Sequence, residues 1–457
     1  MPARRIIVVG GVAAGTAAVA EARRTDAEAE IMLIDRGPDI SYSACEMPIF
    51  LAGELSYADR LVRYDAERFA SRFRCTVRLH TEVVSVEPST RHVDVVDGRT
   101  GERASLWYDA LVLATGVEAS VPESLKTASH QVHVLRRLED ARIIRRHLDS
   151  AKKGHVVVVG GGYVGLDGVE AFRRTGWRCT LLASGGRLLG DALDTEAAGW
   201  VRTALERDGV SVRDERAQAL DVDPDGSIRA VRTDKGERIG CQMVLVATGT
   251  RPNIALASAA GLKVGTTGGL SVQDTMQTSE SAIWACGDIV EYTDLITGKP
   301  VHAPVALNAF RSGRVAGRNA ARGGRGRPAR MAPVVHAAAV SVAELEVAHT
   351  GLSERAARAA GLDAVGVSVR HRSASSNAPH HPLHVRLVGE RGTGRLLGAQ
   401  LVGREGAAQR VNTVTALIRS GATVDDAYLV DYIYTPRIAP AHDALFVAAR
   451  ELQTALL

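Results

Sequence analysis

Arg5-Ile6-Ile7-Val8-Val9-Gly10-Gly11-Val12-Ala13-Ala14-Gly15 sets a short β-branched run directly against a glycine-spaced turn, and a helical pattern follows through Arg24. Strand, tight turn and helix in that order bring backbone N–H groups and the positive end of a helix dipole to one point, where a pyrophosphate is held. Gly10, Val12, Ala13, Ala14 and Gly15 are assigned to that cradle, with Val12 standing where the pattern has its middle glycine. The next strand, Ile31 to Ile34, ends in Asp35, twenty residues beyond Gly15 and placed to accept hydrogen bonds from a ribose hydroxyl.

The pattern returns at His155. Val156 to Val159 leads into Gly160-Gly161-Gly162-Tyr163-Val164-Gly165, with all three glycines present, then a helix to about Arg174. One such motif is weak evidence; two, each between a strand and a helix, predict two Rossmann-like nucleotide sites. The strand after the second, Cys179 to Leu182, runs into Ala183-Ser184 without a carboxylate for a 2′-hydroxyl, and Arg187 lies just beyond, suited to a 2′-phosphate. NADPH is therefore favoured over NADH. Ala114-Thr115-Gly116 and Ala247-Thr248-Gly249, each closing an apolar strand, are a further sign of repetition.

Between Cys75 and Tyr108, alternating segments such as Thr76 to Leu79 and His92 to Val96 predict a β-meander. Cys286-Gly287-Asp288 follows a short strand, Ala282 to Trp284, and places a carboxylate and helix N-terminal amides at a strand-to-helix junction. Ala321 to Pro333, rich in Gly, Arg and Pro, reads as a linker. Beyond it, alternating segments (His384 to Val388, Leu397 to Val402) and helical patterns (Ala407 to Ser420, Ala441 to Leu457) predict an α+β domain. The chain is thus expected to be α/β, with one nucleotide domain at 1–118 and 250–322, a second at 119–249, a linker at 323–333 and a C-terminal domain at 334–457.

Composition limits the alternatives. A chain of 457 residues holds roughly two to four domains. Its net charge is only +4, its basic residues are spread along the chain and aromatics are 4% of it, which argues against nucleic acid as main partner. Five cysteines without framework spacing fit a reducing cytoplasm. Arg4-Arg5 before the apolar run Ile6 to Ala20 imitates a secretory signal, but the glycine spacing has the better use above, and no other stretch is apolar enough for a membrane span.

Two fingerprints, two Ala-Thr-Gly turns, a Cys-Gly-Asp and a separate last domain resemble the FAD-dependent pyridine nucleotide-disulfide oxidoreductases. Ser41-Tyr42-Ser43-Ala44-Cys45-Glu46-Met47-Pro48 matches that family's Ser-x-x-x-Cys-x-x-Pro pattern, and Glu46 to Ala52 hold no second cysteine. The single-cysteine branch, which includes coenzyme A disulfide reductases, NAD(P)H oxidases and persulfide reductases, is the part it resembles. The resemblance implies FAD contacts at the first cradle, Asp35, Arg36, Ser41, Val83, Ala114, Thr115, Gly116, Gly287 and Asp288. It implies NADPH or NADH contacts at Gly160, Gly162, Tyr163, Val164, Gly165, Asp167, Ser184, Arg187 and Gly249. It also implies a homodimer whose subunits share the active site, with Cys45 as the redox thiol and Tyr163 as a movable lid.

The departures from the pattern fall near that thiol. Ala44 stands for an asparagine, and Glu46 for a small residue whose replacement by a carboxylate disfavours the thiolate. Asn377-Ala378-Pro379-His380-His381-Pro382 replaces a tyrosine pair, while Tyr434-Thr435-Pro436 matches a later tyrosine motif in which Arg437 and His442 are substitutions. Tyr434, His380, His381 and His442 are the candidates to protonate a departing thiolate. The histidine run has no metal-ligand spacing, so no metal is expected. The function expected is a reductase moving hydride from NAD(P)H through FAD to Cys45, which reduces a small disulfide or persulfide such as coenzyme A disulfide. The alternatives are an NAD(P)H oxidase, or an electron-transfer or redox-sensor flavoprotein whose thiol is incidental. Ala13, where related peroxidases have a histidine, argues against a peroxidase.

Overall fold

The computed structural model describes residues 3–150 and 153–457. In the first parallel sheet Arg5–Val9 lies between Glu30–Ile34 and Ala110–Leu113, with Thr76–Arg78 and Ile283–Ala285 at the edges. Ile6 and Val8 enter the cluster formed with the first helix, α1 (Ala13–Thr25), while Ile7 and Val9 enter a separate cluster with Val83, Val86, Val93 and Val95. A strand buried on both faces has to be apolar at every position, which is why Ile6 to Val9 shows no alternation. Beyond Asp35 the chain passes through a single 3-10 turn, Ala44–Glu46, into the short α2 (Met47–Leu51).

The second half repeats the first. His155–Val159 is central in another five-stranded parallel sheet, beside Arg178–Leu182 and Met243–Val246, and is followed by α3 (Tyr163–Arg174). A three-stranded antiparallel meander accompanies each sheet: Thr81–Glu87, His92–Asp97 and Arg103–Trp107 in the first half, Ala217–Val222, Ile228–Thr233 and Arg238–Gly240 in the second. The first meander was expected to include Thr76, but Thr76–Arg78 pairs in parallel with Met32–Ile34; His80, at φ 52, turns the chain before the meander starts. A two-stranded ribbon of Val117–Ala119 against Thr250–Pro252 joins the halves.

The long α4 (Ala306–Arg322) packs along α1 and ends at Gly323, which takes the left-handed conformation at φ 56. Ala321 and Arg322, read as linker, are therefore the last turn of a helix. The segment beyond Gly323 is fastened rather than loose: the Asn319 amide brackets Ala329 with two hydrogen bonds of 2.9 Å, and Arg330 meets Asp274 at 2.7 Å. The C-terminal domain is a five-stranded antiparallel sheet in the order Ala338–Val342, Leu345–Gly351, Leu396–Gly403, Pro382–Glu390, Ala364–Arg372. Ala407–Ser420 and Ala444–Leu456 cover it; the second starts at Ala444 rather than Ala441 because Asp443 caps it, accepting from the Leu445 amide at 2.9 Å. One apolar cluster joins Met47, Phe50 and Leu51 of the first half to Leu166, Val169 and Phe172 of α3 and to Val340, Val347 and Val402 of the last sheet. Helix α3 is thus the junction of all three parts.

Candidate active site

The two cradles have the same backbone logic. Gly10 sits at φ +106, and a Cβ there would stand 2.3 Å from the Ala114 carbonyl oxygen; Gly160 sits at φ +115, with its Cβ 2.2 Å from the Ala247 oxygen. A Cβ on Gly15 would be 1.7 Å from the Gly10 oxygen, and one on Gly165 1.9 Å from the Gly160 oxygen. Each Ala-Thr-Gly turn supplies the carbonyl that forces the first glycine of its fingerprint. The middle position is different. Val12 has φ −102, Gly162 has φ −81, and a Cβ on Gly162 would meet nothing within 4 Å. That position faces open space, so valine is tolerated, and the room beside the helix start fits a pyrophosphate in both halves.

Asp35 holds the first turn together: its Oδ2 accepts from the Gly11 amide at 2.6 Å and its Oδ1 from the Gly37 amide at 2.7 Å. Each oxygen retains lone-pair capacity for a ribose hydroxyl. The Ser41 amide donates to the Gly11 carbonyl at 2.8 Å, stitching the cysteine loop to the cradle. Arg36, expected at the cofactor, pairs with Glu118 at 3.2 Å, and Val83 is buried in the core. Thr115 donates to the Asn253 carbonyl at 3.0 Å, tying its turn to the ribbon between the halves.

Gly287 and Asp288 lie in a single 3-10 turn, Gly287–Ile289, not at the start of a long helix, because α4 begins only at Ala306. Ser312 of α4 reaches back instead and accepts from the Gly287 amide at 2.9 Å. Burial raises the Asp288 carboxyl, opposed by Arg136, 3.4 Å away, and by His302. Arg136 had no sequence signal, since its partner is 152 positions away.

Cys45 is exposed, whereas Cys179, Cys241 and Cys286 are buried with thiols pushed up to about 12, and Cys75 is pushed to about 11. Cys45 reaches solvent, yet the protein around its sulfur still raises it by desolvation first, then through Asp167 and Asp288; Arg136 alone opposes, and Glu46 contributes least. The larger contributions therefore come from acids on α3 and the Gly-Asp turn, and the adjacent glutamate acts in the expected direction more weakly. Burial, with Glu170, pushes the Asp167 carboxyl up to about 6. Helix α2 has only five residues and offers little dipole to offset them.

In the second half, Tyr163 opens α3, and its hydroxyl hydrogen-bonds to Nε2 of His349. Val164 is exposed, and Gly249 sits at φ +111. The Ser184 hydroxyl accepts from Nε of Arg216 at 2.9 Å, while Arg187 leans toward Asp191 at 4.0 Å. Arg216, from the segment after Ser211–Arg213, is the basic group that reaches Ser184, and motif reading missed it.

The remaining candidates cluster elsewhere. Tyr434 is 58% exposed, the exposed His380 bonds through Nδ1 to the Ala378 carbonyl at 2.8 Å, and the His381 amide donates to Ser373 at 3.0 Å. His442 stacks on Phe446 at 5.4 Å. The Ser375 amide donates to the Pro436 carbonyl at 2.9 Å, so the histidine loop lies against the Tyr434 loop. Among the described residues, no hydrogen bond or ion pair joins any of these four side chains to Cys45 of the same chain. Leu429, Ile433 and Ile438, in the same stretch as Tyr434, are at least two-thirds exposed. No helix among the described residues is long and apolar enough to cross a membrane.

Two dinucleotide cradles built around one accessible thiol define a two-nucleotide oxidoreductase. Residues 4–309 match the pyridine nucleotide-disulphide oxidoreductase family and residues 337–443 its dimerisation domain. The chain is 31% identical over 455 residues to an NAD(P)H coenzyme A polysulfide/persulfide reductase of Pyrococcus horikoshii, covering 98% of each. It is 25% identical over 443 residues to a coenzyme A disulfide reductase of Staphylococcus aureus, covering 96% of this chain and 98% of the other. Its fold matches an NAD-dependent persulfide reductase from A. fulgidus with a TM-score of 0.94 at 31% identity, over 99% of this chain and 83% of that one. The chain belongs to the pyridine nucleotide-disulphide oxidoreductases, enzymes that work with FAD and NAD(P)H.

Proposed function

We propose that this enzyme uses NADPH to reduce a low-molecular-weight disulfide or persulfide of the coenzyme A disulfide type, through a mixed disulfide on Cys45. The observation that carries the reading is the single exposed thiol, stitched by Ser41 to the first cradle and free of any cysteine partner. The first cradle, with Asp35 and Asp288, holds FAD; the second, with Ser184, Arg187 and Arg216, holds NADPH, whose 2′-phosphate meets arginines where the other half has a carboxylate. FAD, when bound, relays the electron pair from the nicotinamide to sulfur.

Cys45 bonds to one sulfur of R–S–S–R and the other leaves as R–SH; two electrons and two protons then return Cys45 to the thiol and release the second R–SH. Its surroundings disfavour the Cys45 thiolate, so the thiol has to give up its proton as the mixed disulfide forms. Tyr163 covers the nicotinamide site and moves aside for the nucleotide. Two copies pair through the last domain, burying Leu429, Ile433 and Ile438, and the partner subunit's Tyr434 and histidines complete the site. A reducing cytoplasm suits such a thiol.

The test is the intact mass of the purified protein under denaturing, non-reducing conditions, before and after NADPH. An adduct on Cys45 that NADPH removes is expected, and its mass names R. If Cys45 is bare or carries only oxygen, and Cys45→Ser still turns over the physiological acceptor, the oxidase or electron-transfer reading replaces this one.

A further inference from the structure

We propose that His349 is a reversible latch for Tyr163, so that a nucleotide must break a hydrogen bond made by the C-terminal domain before its nicotinamide can enter. The inference rests on Tyr163 being the cover of that site. Tyr163 is the first residue of α3, directly after the glycines of the second cradle, so nucleotide binding is felt there first. Tyr163 and Asp167 are four apart on one helix and share a face. Tyr163 packs on the apolar cluster that holds Met47 and Phe50 of α2, the helix that follows Cys45, so the start of α3 lies on the thiol's side of the domain junction.

The Tyr163 ring is met by a histidine from another domain. His349 lies on Leu345–Gly351, its Nε2 bonded to the Tyr163 hydroxyl and its ring centroid 6.1 Å from that of Tyr163 at 30°. The imidazole is 5% exposed, and among the described residues its Nδ1 has no hydrogen-bond partner. Burial pushes its pKa down to about 4, so the ring is neutral at physiological pH, with one N–H and one bare nitrogen. Tyrosine satisfies one side only, and a buried polar atom left unpaired calls for a functional explanation.

The rest of this interface shows what a permanent brace looks like. Asp194 accepts from the amides of Glu354 and Arg355 at 3.0 and 3.1 Å, from the Gln400 amide group at 2.7 Å and from Arg386 at 3.0 Å. Gln400 stands opposite His349 in the strand register. The C-terminal domain therefore grips the nucleotide domain at Asp194 with a many-armed contact and meets the Tyr163 hydroxyl with a single hydrogen bond. A single neutral hydrogen bond has small net worth, which suits a contact made and broken in each turnover.

The experiment is calorimetric titration of the FAD-loaded enzyme with NADP+, which binds without turnover, together with melting temperatures. His349→Leu and Tyr163→Phe are each expected to tighten NADP+ binding by about three- to tenfold, the factor one net hydrogen bond supplies. The double variant is expected to match either single one, and His349→Gln, which keeps a hydrogen-bonding group, to stay near the parent. Tightenings that add, or a His349→Leu variant that binds more weakly and melts lower, would make His349 a structural brace and overturn the latch. Tyr163→Ala separates the two claims. If it leaves NADP+ affinity unchanged, the cover reading itself fails; if it tightens binding while His349→Leu does not, only the latch fails.

Discussion

The two nucleotide halves agree at the backbone and disagree at the side chain. Ala114 and Ala247 present the same carbonyl to Gly10 and Gly160, and Gly15 and Gly165 press equally close to their turns. At the end of the neighbouring strand one half has Asp35, bonded to two amides of its own turn, and the other has the buried Ala183 with Ser184 and Arg216 beside it. The cradle proposed for a pyrophosphate is made of backbone and is repeated in both halves; the groups proposed for the ribose are side chains and diverge.

The strongest way to break this equivalence is to fill one turn at a time. Gly165→Val is expected to purify yellow and to lose NADPH-driven flavin reduction altogether, while Gly15→Val is expected to purify without flavin and with reduced stability, since its Cβ collides with backbone that cannot give way. Flavin-to-protein absorbance ratio and anaerobic reduction measure both; equal flavin loss in the two variants would mean the halves are not separable. A smaller effect sharpens the side-chain difference. Arg216→Ala is expected to lower the NADPH to NADH ratio of kcat/KM by about tenfold, and Ala183→Asp to shift it further the same way, each through loss of charge-assisted bonds to a 2′-phosphate. An unchanged ratio in Arg216→Ala would leave Arg187 as the phosphate contact.

The smallest effect concerns the acid that α3 brings to the thiol. Folding raises the Asp167 carboxyl from 3.8 to about 6, so the native state binds the proton more tightly than the unfolded chain. The resulting stabilisation is full below pH 3.8 and is lost as pH rises through about 6. Asp167→Asn is therefore expected to be more stable than the parent above pH 6 by about 1 kcal/mol, after discounting for partial solvent screening, with no gain below pH 3.8. Denaturant titrations at two pH values measure this. Removal of the charge should also lower the Cys45 thiol pKa, read from the pH dependence of its alkylation; a rise would show that Asp167 acts on Cys45 by something other than its charge.

Legibility followed the range of the interaction. Helix α3 ends at Arg174, as the pattern implied, because apolar periodicity is local, but it begins at Tyr163, inside the glycine motif rather than after it. The second meander was overlooked: Ala217–Val222 is half-exposed along most of its length and so shows no clean alternation. Val12 reads as a defect in the motif and is none, since the middle position needs no positive φ and has open space for a side chain. Arg136, Arg216 and His349 carry no motif at all.

The sequence by itself determined the two cradles, the lone thiol and the absence of a carboxylate at Ala183, because glycines forced by backbone contact and a cysteine without neighbours are visible residue by residue. Only the tertiary structure decided which charges surround Cys45, which arginine reaches Ser184 and what holds Tyr163. Those are meetings between segments more than a hundred positions apart in the cases of Arg136 with Asp288 and Tyr163 with His349, and no local pattern encodes a contact whose two ends are brought together by the packing of separate domains.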